Sequence, residues 1–294
     1  MNELIVASIG LGILGMAMGS FVGATVWRLR AQQLVEDKAT EQDYDKQEYK
    51  RLHPLTQYKG TKDRSRCLSC SHRLAWYDLI PLASWLSTKG HCRYCQASIG
   101  WFEPLLEVSM AAFFVGSFLF WPLSLDTLPA LARFGLWLGA GVMLGILFAY
   151  DTKWFLLPDK IVFPLMAVAL IFSLLGLVGE PSVLSAVLDV GGAVSILSGL
   201  YFVLWLVSRG RWIGFGDVKL GIILGLLLGS WQLALLTLFL ANLIGTLIVL
   251  PGLLTKKLSR TTQVPFGPML IAACVATVLF GESVINWYLG LVIL

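Results

Sequence analysis

The segment Leu4–Trp27 has the sequence LIVASIGLGILGMAMGSFVGATVW and contains no charged residue. A helix that crosses the hydrocarbon core of a bilayer needs about 20 apolar residues, so this segment is long enough to span a membrane. No basic stretch precedes it, and no small-residue cleavage site followed by a soluble domain comes after it. We therefore interpret it as a retained membrane helix rather than a cleaved signal peptide.

Apolar runs of similar length recur along the 294-residue chain, which is 57% hydrophobic and only 14% charged. About a quarter of the residues in soluble domains are charged, so the composition is typical of a membrane protein. The run at 218–229 is short, and Gly229-Ser230 is either a turn or a kink, so seven or nine spans also fit the sequence. We predict an all-α polytopic membrane protein with about eight transmembrane helices, near residues 4–27, 102–122, 129–150, 160–179, 184–208, 218–229, 231–253 and 267–290.

The positions of the lysines and arginines predict the orientation of the chain. The stretch 28–100 holds 13 of the 22 basic residues, together with many acidic ones, and this mixed charge argues against a nucleic-acid-binding surface. Basic residues favour cytoplasmic loops, which places the N-terminus outside. All 22 basic residues except Arg133 then fall in or next to the inner connections, which are 28–101, 151–159, 209–217 and 254–266. We expect a first membrane helix (1–27), a cytoplasmic loop domain (28–101) and a transmembrane core (102–294).

Two cysteine pairs, Cys67-x-x-Cys70 and Cys92-x-x-Cys95, lie in this loop and are separated by 21 residues. Each pair can supply two thiolates from a tight turn, and two such turns complete a closed tetrahedral zinc site with a structural role. A reducing compartment argues against disulfides. A redox-active dithiol is the alternative, and the neighbouring His72 and His91 could replace a cysteine as ligands. Cys274 lies alone in the last span, where we expect it only to pack.

Two aspartates lie at the predicted inner ends of different spans. Asp151 follows Phe148-Ala149-Tyr150 at the end of the third span, and Asp217 follows Gly214-Phe215-Gly216 at the start of the sixth. Acidic groups in spans are costly, so their presence indicates function. Two adjacent carboxylates share one proton, since both cannot easily ionise. Such a pair can hydrolyse an amide without a metal, one carboxylate activating water and the other polarising the carbonyl.

Other interpretations of these acidic residues remain open. Asp217 could be a helix N-cap, because aspartate there satisfies free amide donors. Asp159 follows Pro158, where a proline and an acid in the first helical turn are both expected, so we interpret it as a helix-start residue. Lys219 is expected to be an ion-pair partner or an interface anchor. Gly214 and Gly216 are expected to let the backbone adopt tight conformations beside a substrate. Glu107 could line a site or pair with an arginine, and Asp189 is given no role.

Taken together, the motifs resemble those of the bacterial type IV prepilin peptidases, which are membrane aspartic peptidases with a Gly-x-Gly-Asp motif. The resemblance covers nearly the whole chain. It rests on an ordered set of motifs: Gly19-Ser20-Phe21, Arg64 to Cys70, Ile80-Pro81, Gly90 to Cys95, Pro104-Leu105-Leu106-Glu107, Asp151 to Asp159, Gly214 to Leu220 and Pro265-Phe266-Gly267-Pro268.

This resemblance implies that Asp151 and Asp217 are the catalytic pair and that Asp159 is not. It implies a bacterial inner-membrane enzyme with its active site at the cytoplasmic face. The substrates would be type IV prepilins and type II secretion pseudopilins, which carry a short basic leader ending in glycine before a hydrophobic helix. Many members also N-methylate the new terminus with S-adenosylmethionine, and the cysteine loop has been linked to that second activity.

Three other classes of function were weighed. Another Gly-x-Gly-Asp protease, of the signal-peptide or presenilin type, would have a Tyr-Asp pair inside a span, whereas Tyr150-Asp151 lies at a span end. A transporter with a proton relay would place its acidic residues near the bilayer midplane. A non-catalytic scaffold would present only the zinc knuckle.

Overall fold

A computed structural model describes residues 2–57, 63–178, 181–255 and 264–292 of the chain. Internal contacts divide the chain into two units, Met1–Leu119 and Phe120–Leu294. The first unit begins with α1 (Asn2–Ala39), α2 (Lys46–Leu52) and a 3-10 turn (His53–Thr56). It continues with a second 3-10 turn (Trp76–Leu79), α3 (Ala83–Ser87) and α4 (Phe102–Leu119).

Helix α1 continues to Ala39, past the predicted membrane boundary at Trp27. Its polar extension is stabilised by a small apolar core in which Ala31 and Leu34 pack on Leu52 of α2. The Arg30 guanidinium pairs with the Glu48 carboxylate at 2.6 Å beside this core. The segment after Trp27 is therefore partly a folded helical extension rather than only a solvated loop.

Small residues on α1 let it approach α4 closely. A Cβ atom added to Gly15 would lie 2.7 Å from the backbone of Ala111, and one added to Gly19 would overlap the backbone of Glu107. Glycines four residues apart on a membrane helix allow such contact between backbones. This packing joins the two long helices of the first unit.

The second unit is a bundle of helices. Its elements are α5 (Leu128–Trp154), α6 (Asp159–Gly176), α7 (Val183–Val194), a π-helical turn (Ser195–Gly199), α8 (Leu200–Ser208), α9 (Phe215–Leu228), α10 (Trp231–Leu254) and α11 (Gly267–Val292). Helices α7 and α8 run through the π turn as a single apolar segment of 26 residues.

Seven helical segments in the described part of the chain are long and apolar enough to cross a membrane. Large apolar side chains on them remain exposed; for example, Ile9 is 59% exposed, Val207 69% and Leu247 64%. Extensive exposed apolar surface of this kind is suited to contact with lipid. The protein is a multi-pass, all-helical membrane protein, as the sequence predicts.

The sixth predicted span corresponds to α9, which has 14 residues. At 1.5 Å per residue it is about 21 Å long, shorter than the ~30 Å hydrocarbon core of a bilayer. Gly229 ends it in the left-handed conformation with φ 70°, and α10 begins at Trp231. The Gly229-Ser230 segment is therefore a tight turn, not a kink within one helix.

Helix α9 packs directly on the π turn and on α7, the helix that precedes this turn. A Cβ atom added to Gly221 would lie 2.8 Å from the Ser198 backbone, and one added to Gly225 would lie 2.7 Å from the Val194 backbone. This is a second pair of glycines four residues apart, and it allows two backbones to touch. The contact sets where α9 lies in the bundle, and with it the position of Asp217.

We expect Gly221→Ala to lower the thermal unfolding temperature in detergent, because its methyl group overlaps the Ser198 backbone. Overpacking of this kind costs ~1–3 kcal/mol. The control is Gly191→Ala on α7, where an added Cβ meets no atom within 4 Å. Equal unfolding temperatures for the two variants would contradict the close packing of α9.

Candidate active site and metal centre

Asp151 lies in the last turn of α5, and it is only 6% exposed. A carboxylate is unfavourable in this position for two reasons. Burial removes it from water, and the C-terminal end of a helix carries partial negative charge. A residue placed against both effects must be stabilised by another part of the structure.

The stabilising group is the N-terminus of α11. The Asp151 carboxylate accepts a hydrogen bond from the backbone N–H of Gly267, the first residue of that helix. Free amide donors and partial positive charge at a helix N-terminus favour a carboxylate. A Cβ at position 267 would lie 2.6 Å from Asp151 Oδ2, so only glycine fits without displacing the aspartate. The Pro265-Phe266-Gly267-Pro268 segment therefore belongs to the site, a role that the sequence did not reveal.

Asp217 is the third residue of α9 and is half-buried. The N-cap is Gly214, not Asp217, and the Asp217 carboxylate accepts a hydrogen bond from the Gly214 backbone N–H. A third-position acid that reaches back to the N-cap amide is a known helix-start arrangement. Asp217 thus contributes to the start of α9, but from a different position than the predicted cap.

The two carboxylates lie close enough to interact electrostatically. They come from α5 and α9, and the Gly267 contact brings the start of α11 to the same end of the unit. The structure therefore brings together the two aspartates singled out in the sequence. It also shows that α9 starts at this end of the unit.

The two glycines before Asp217 have ordinary backbone angles, and only Gly216 is closely packed. Gly214 is extended, with φ −74° and ψ 151°, and neither Gly214 nor Gly216 has a positive φ angle. Neither glycine therefore adopts a left-handed conformation, and the close approach of this backbone to a substrate stays a prediction. An added Cβ at Gly216 would lie 3.2 Å from Leu157, so the residue at 216 must be small for the segment after α5 to pack there.

Asp159 and Lys219 form an ion pair beside the site. Asp159 is the first residue of α6 after the N-cap Pro158, as predicted for a helix-start residue. Its Oδ1 atom lies 2.6 Å from Lys219 Nζ on α9, which confirms that Lys219 is an ion-pair partner. Lys219 follows Asp217 by two residues, so this bridge ties the start of α9 to α6. Asp189, the acid given no role, is half-buried on α7.

Tyr201 is a residue of this region that the sequence analysis missed. It lies at the start of α8, is 3% exposed, and its hydroxyl interacts electrostatically with Asp217. Its ring packs on that of Phe266 with centroids 5.6 Å apart. No motif in the sequence marks this tyrosine, because its partners are distant in the chain.

The four cysteines of the first unit converge. The Sγ atoms of Cys67, Cys70, Cys92 and Cys95 all lie within 4.8 Å of one another, and those of Cys67 and Cys95 are 3.8 Å apart. A tetrahedral site with zinc–sulfur bonds of ~2.3 Å requires sulfur–sulfur separations of about 3.8 Å. The arrangement is suited to a metal ion. Cys274, by contrast, is fully buried in α11, as expected for a packing residue.

Both cysteine pairs have the same local structure. The residue after the second cysteine, Ser71 or Gln96, is left-handed with φ 58°, and its N–H bonds back to the carbonyl of the first cysteine. In the first turn the Ser69 N–H points to Cys67 Sγ at 3.4 Å. These hydrogen bonds hold two thiols on one side of each turn.

The two neighbouring histidines point to other partners. His72 stacks on Tyr94 with ring centroids 3.8 Å apart, and His91 Nδ1 lies 2.9 Å from the Lys89 carbonyl oxygen. The group suited to a metal contains only the four cysteines among the described residues. The alternative of histidine ligands is therefore not favoured by this geometry.

Asp78 connects the second cysteine turn to the segment before α3. Its carboxylate accepts hydrogen bonds from Arg93 Nε at 3.0 Å, the Tyr94 hydroxyl at 2.9 Å and the Ala75 N–H at 3.1 Å. Burial alone would raise the pKa of Asp78, but the hydrogen bonds from Tyr94 and Arg93 outweigh it and hold the pKa below its usual value. The ionised form therefore fits this network.

Glu107 on α4 also links separate segments of the first unit by accepting hydrogen bonds. Its Oε2 atom accepts a hydrogen bond from the Leu82 N–H at 2.7 Å, and its carboxylate also bonds to the Ser20 side chain. The sequence allowed an arginine partner for Glu107, whereas the observed partners are a backbone amide and a hydroxyl. Glu103, one turn earlier, accepts a hydrogen bond from Trp27 Nε1 at 2.9 Å. Together they fix the loop and α1 to α4.

By its fold and site, this protein belongs to the class of polytopic membrane proteins with a pair of aspartates at the ends of two helices. Family comparisons define the class further. Residues 13–121 match the bacterial peptidase A24 N-terminal domain, and residues 138–250 match the type IV leader peptidase family.

Curated relatives match over nearly the entire chain. A prepilin leader peptidase/N-methyltransferase of Aeromonas salmonicida is 31% identical over 281 residues, covering 96% of this chain and 93% of the relative. A protein of the same name from Pseudomonas aeruginosa is 31% identical over 291 residues, covering 94% and 91%. No solved structure matched the chain significantly. The chain belongs to the type IV leader peptidase family.

Proposed function

We propose that this protein is a membrane aspartic endopeptidase that removes the basic leader of type IV prepilins and type II secretion pseudopilins. Cleavage follows the glycine that ends the leader, and N-methylation of the new terminal residue follows. The observation that carries the proposal is the pairing of Asp151 with Asp217 at one end of the helix bundle, in a member of this peptidase family.

The two carboxylates supply the chemistry of amide hydrolysis. One is ionised and takes a proton from water as the water oxygen bonds to the scissile carbonyl carbon. The other is protonated and gives its proton to the carbonyl oxygen. Collapse of the tetrahedral intermediate breaks the carbon–nitrogen bond, and the amine leaves with a proton from the carboxyl group that had accepted one. One hydroxyl of the intermediate returns its proton to the other carboxylate, which restores the starting state of the pair. No metal takes part in these steps.

The backbone positions this pair. The Gly267 N–H holds the Asp151 carboxylate, and the Gly214 N–H holds that of Asp217. Each carboxylate thus has a fixed donor, which limits its rotation before substrate binds. Groups held in place in this way need little reorganisation during the reaction.

The distribution of charge supports an active site at the cytoplasmic face of a bacterial inner membrane. Lys153 lies two residues after Asp151, Lys219 lies two residues after Asp217, and Arg209 and Arg211 lie between α8 and α9. Basic residues concentrate on the cytoplasmic side of membrane proteins. A prepilin keeps its basic leader in the cytoplasm and its hydrophobic helix in the bilayer, so the bond between them reaches an aspartate pair at that face.

The cysteine cluster is proposed to hold a structural zinc ion. The sulfur separations fit tetrahedral coordination, and four thiolates leave no open position for water or substrate. Leu68, within the first cysteine turn, packs against the small core formed by Ala31, Leu34 and Leu52. Zinc would therefore connect both cysteine turns and, through Leu68, attach them to α1.

For methylation, the first unit offers a cleft of about 470 Å³ beside the cysteine turns. Ligand pockets commonly have volumes of ~300–1,000 Å³. The cleft is lined by the aromatic rings of Trp76, His72 and Tyr94 and by the guanidinium groups of Arg64 and Arg73. Aromatic faces suit an adenine ring and arginines suit a carboxylate, so we propose that it binds S-adenosylmethionine, which supplies the methyl group.

We expect Asp151→Asn and Asp217→Asn each to abolish cleavage, because an amide can neither accept the proton of water nor share one with its partner. Mass spectrometry of a purified prepilin incubated with each variant reports the cut site and any added methyl group. Thermal unfolding in detergent checks that the fold is intact. A variant that still cleaves at the wild-type rate would remove that aspartate from the catalytic pair.

Substitution Cys67→Ser or Cys92→Ser should remove bound zinc and lower the yield of folded protein, since structural zinc contributes ~10–16 kcal/mol in small domains. Zinc content is measured by elemental analysis of purified protein. Cys274→Ser, which alters a cysteine away from the cluster, is the control and should retain zinc. Normal zinc content in both cluster variants would rule out the site.

The variant Trp76→Ala should slow methylation while cleavage continues, because Trp76 is 76% exposed and lines the cleft without supporting the core. The same mass spectrometric assay separates cleaved from cleaved-and-methylated product. Leu86→Ala, an exposed residue of α3 outside the cleft, is the matched control. Unchanged methylation in the Trp76 variant would place the methyl donor elsewhere.

A further inference from the structure

The Tyr201 hydroxyl is a buried polar group without a hydrogen-bond partner in the described structure. The side chain is 3% exposed, so water from outside does not readily reach it. Buried hydroxyls are nearly always paired, and an unpaired one lowers stability relative to phenylalanine. The presence of tyrosine here therefore calls for a partner that binds during function.

A ring contact and an electrostatic interaction place the Tyr201 side chain near the aspartate pair. Tyr201 interacts electrostatically with Asp217. Its ring packs on Phe266 at 5.6 Å, and the next residue, Gly267, donates its N–H to Asp151. Tyr201 is thus linked to Asp217 directly and to Asp151 through the Phe266-Gly267 segment.

The local helix geometry turns this residue toward the site. The π turn at Ser195–Gly199 ends two residues before Tyr201. One extra residue in a helix rotates the residues that follow by about 100° relative to a continuous α-helix. Such π turns occur frequently at functional sites. The same turn contacts Gly221 of α9, so Tyr201 and Asp217 are placed by one packed interface.

We propose that Tyr201 is a third catalytic residue, whose O–H donates a hydrogen bond to the scissile carbonyl oxygen as that oxygen gains negative charge. This inference rests on the proposed peptidase function. The tyrosine keeps its proton throughout. Water still loses its proton to one aspartate, and the carbonyl oxygen still receives a proton from the other. The hydrogen bond of Tyr201 only stabilises the tetrahedral species that these transfers create.

The absence of a hydrogen bond between Tyr201 and Asp217 is important for this role. A donor already bound to the carboxylate would have to break that bond before it could bind the substrate. Here the donor is not used by another described group of the protein, and the hydroxyl itself is buried. A carbonyl placed between the aspartates would supply the acceptor that the hydroxyl lacks.

The test is the Tyr201→Phe variant, which removes one oxygen atom and preserves the ring contact with Phe266. The kcat for prepilin cleavage should fall about 100-fold, because loss of one oxyanion-hole donor has an effect of this size. KM should change little, because the bond strengthens only in the transition state. The thermal unfolding temperature should not fall, because the lost hydroxyl is unpaired in the free protein.

The matched control is Thr277→Val on α11, which removes another buried hydroxyl without a partner in the described structure. Its kcat should equal that of the wild type. A Tyr201→Phe enzyme with kcat within threefold of wild type would overturn the inference, and so would a rise in KM with unchanged kcat. If the wild type itself does not cleave prepilin, the proposed function fails; if only the aspartate variants are inactive, the tyrosine assignment alone fails.

Discussion

Two carboxylates held inside an apolar helix bundle form the constraint on which the second unit depends. Burial of a carboxylate away from water is unfavourable, and the partial negative charge at the C-terminal end of α5 adds to this at Asp151. The protein offsets this with two backbone donors, Gly267 N–H for Asp151 and Gly214 N–H for Asp217. Both donors lie at helix starts, where amides are free and the partial charge is positive.

These donors can hold the two carboxylates only if the end of α5 and the starts of α9 and α11 lie together. Several close contacts provide this. Gly221 and Gly225 let α9 touch the π turn and α7, and the Lys219–Asp159 ion pair ties α9 to α6. Gly267 gives α11 a start without a side chain, so Asp151 can occupy that space. Gly221 and Gly225 are therefore required by the distance between two backbones, whereas Gly267 leaves room for the Asp151 carboxylate.

The parts of this arrangement that depend on residues close together in the chain could be predicted from the sequence. Asp151 and Asp217 stand out because acidic residues at the ends of apolar runs are rare, and the cysteine cluster follows from the spacing of two short pairs. Gly267 and Tyr201 could not be found in that way, since each contributes through a residue far away in the chain. The continuation of α1 to Ala39 was also missed, because its helical pattern is hidden among mixed charges and depends on packing against Leu52. The end of α9 was easier to predict, because Gly229 marks it.

The two candidate centres differ in how their geometry is fixed, and this separates their chemical roles. The four thiols of the first unit lie at the end of short turns whose hydrogen bonds orient the sulfur atoms, and their separations match a closed metal site. With four protein ligands, a zinc ion there has no position left for a water nucleophile. The aspartates of the second unit are instead held by backbone amides, and we propose that the pair shares one proton and activates water without a metal. With these proposed roles, loss of zinc would act on peptide hydrolysis through the folding of the first unit, whereas loss of either carboxylate would act on the reaction directly.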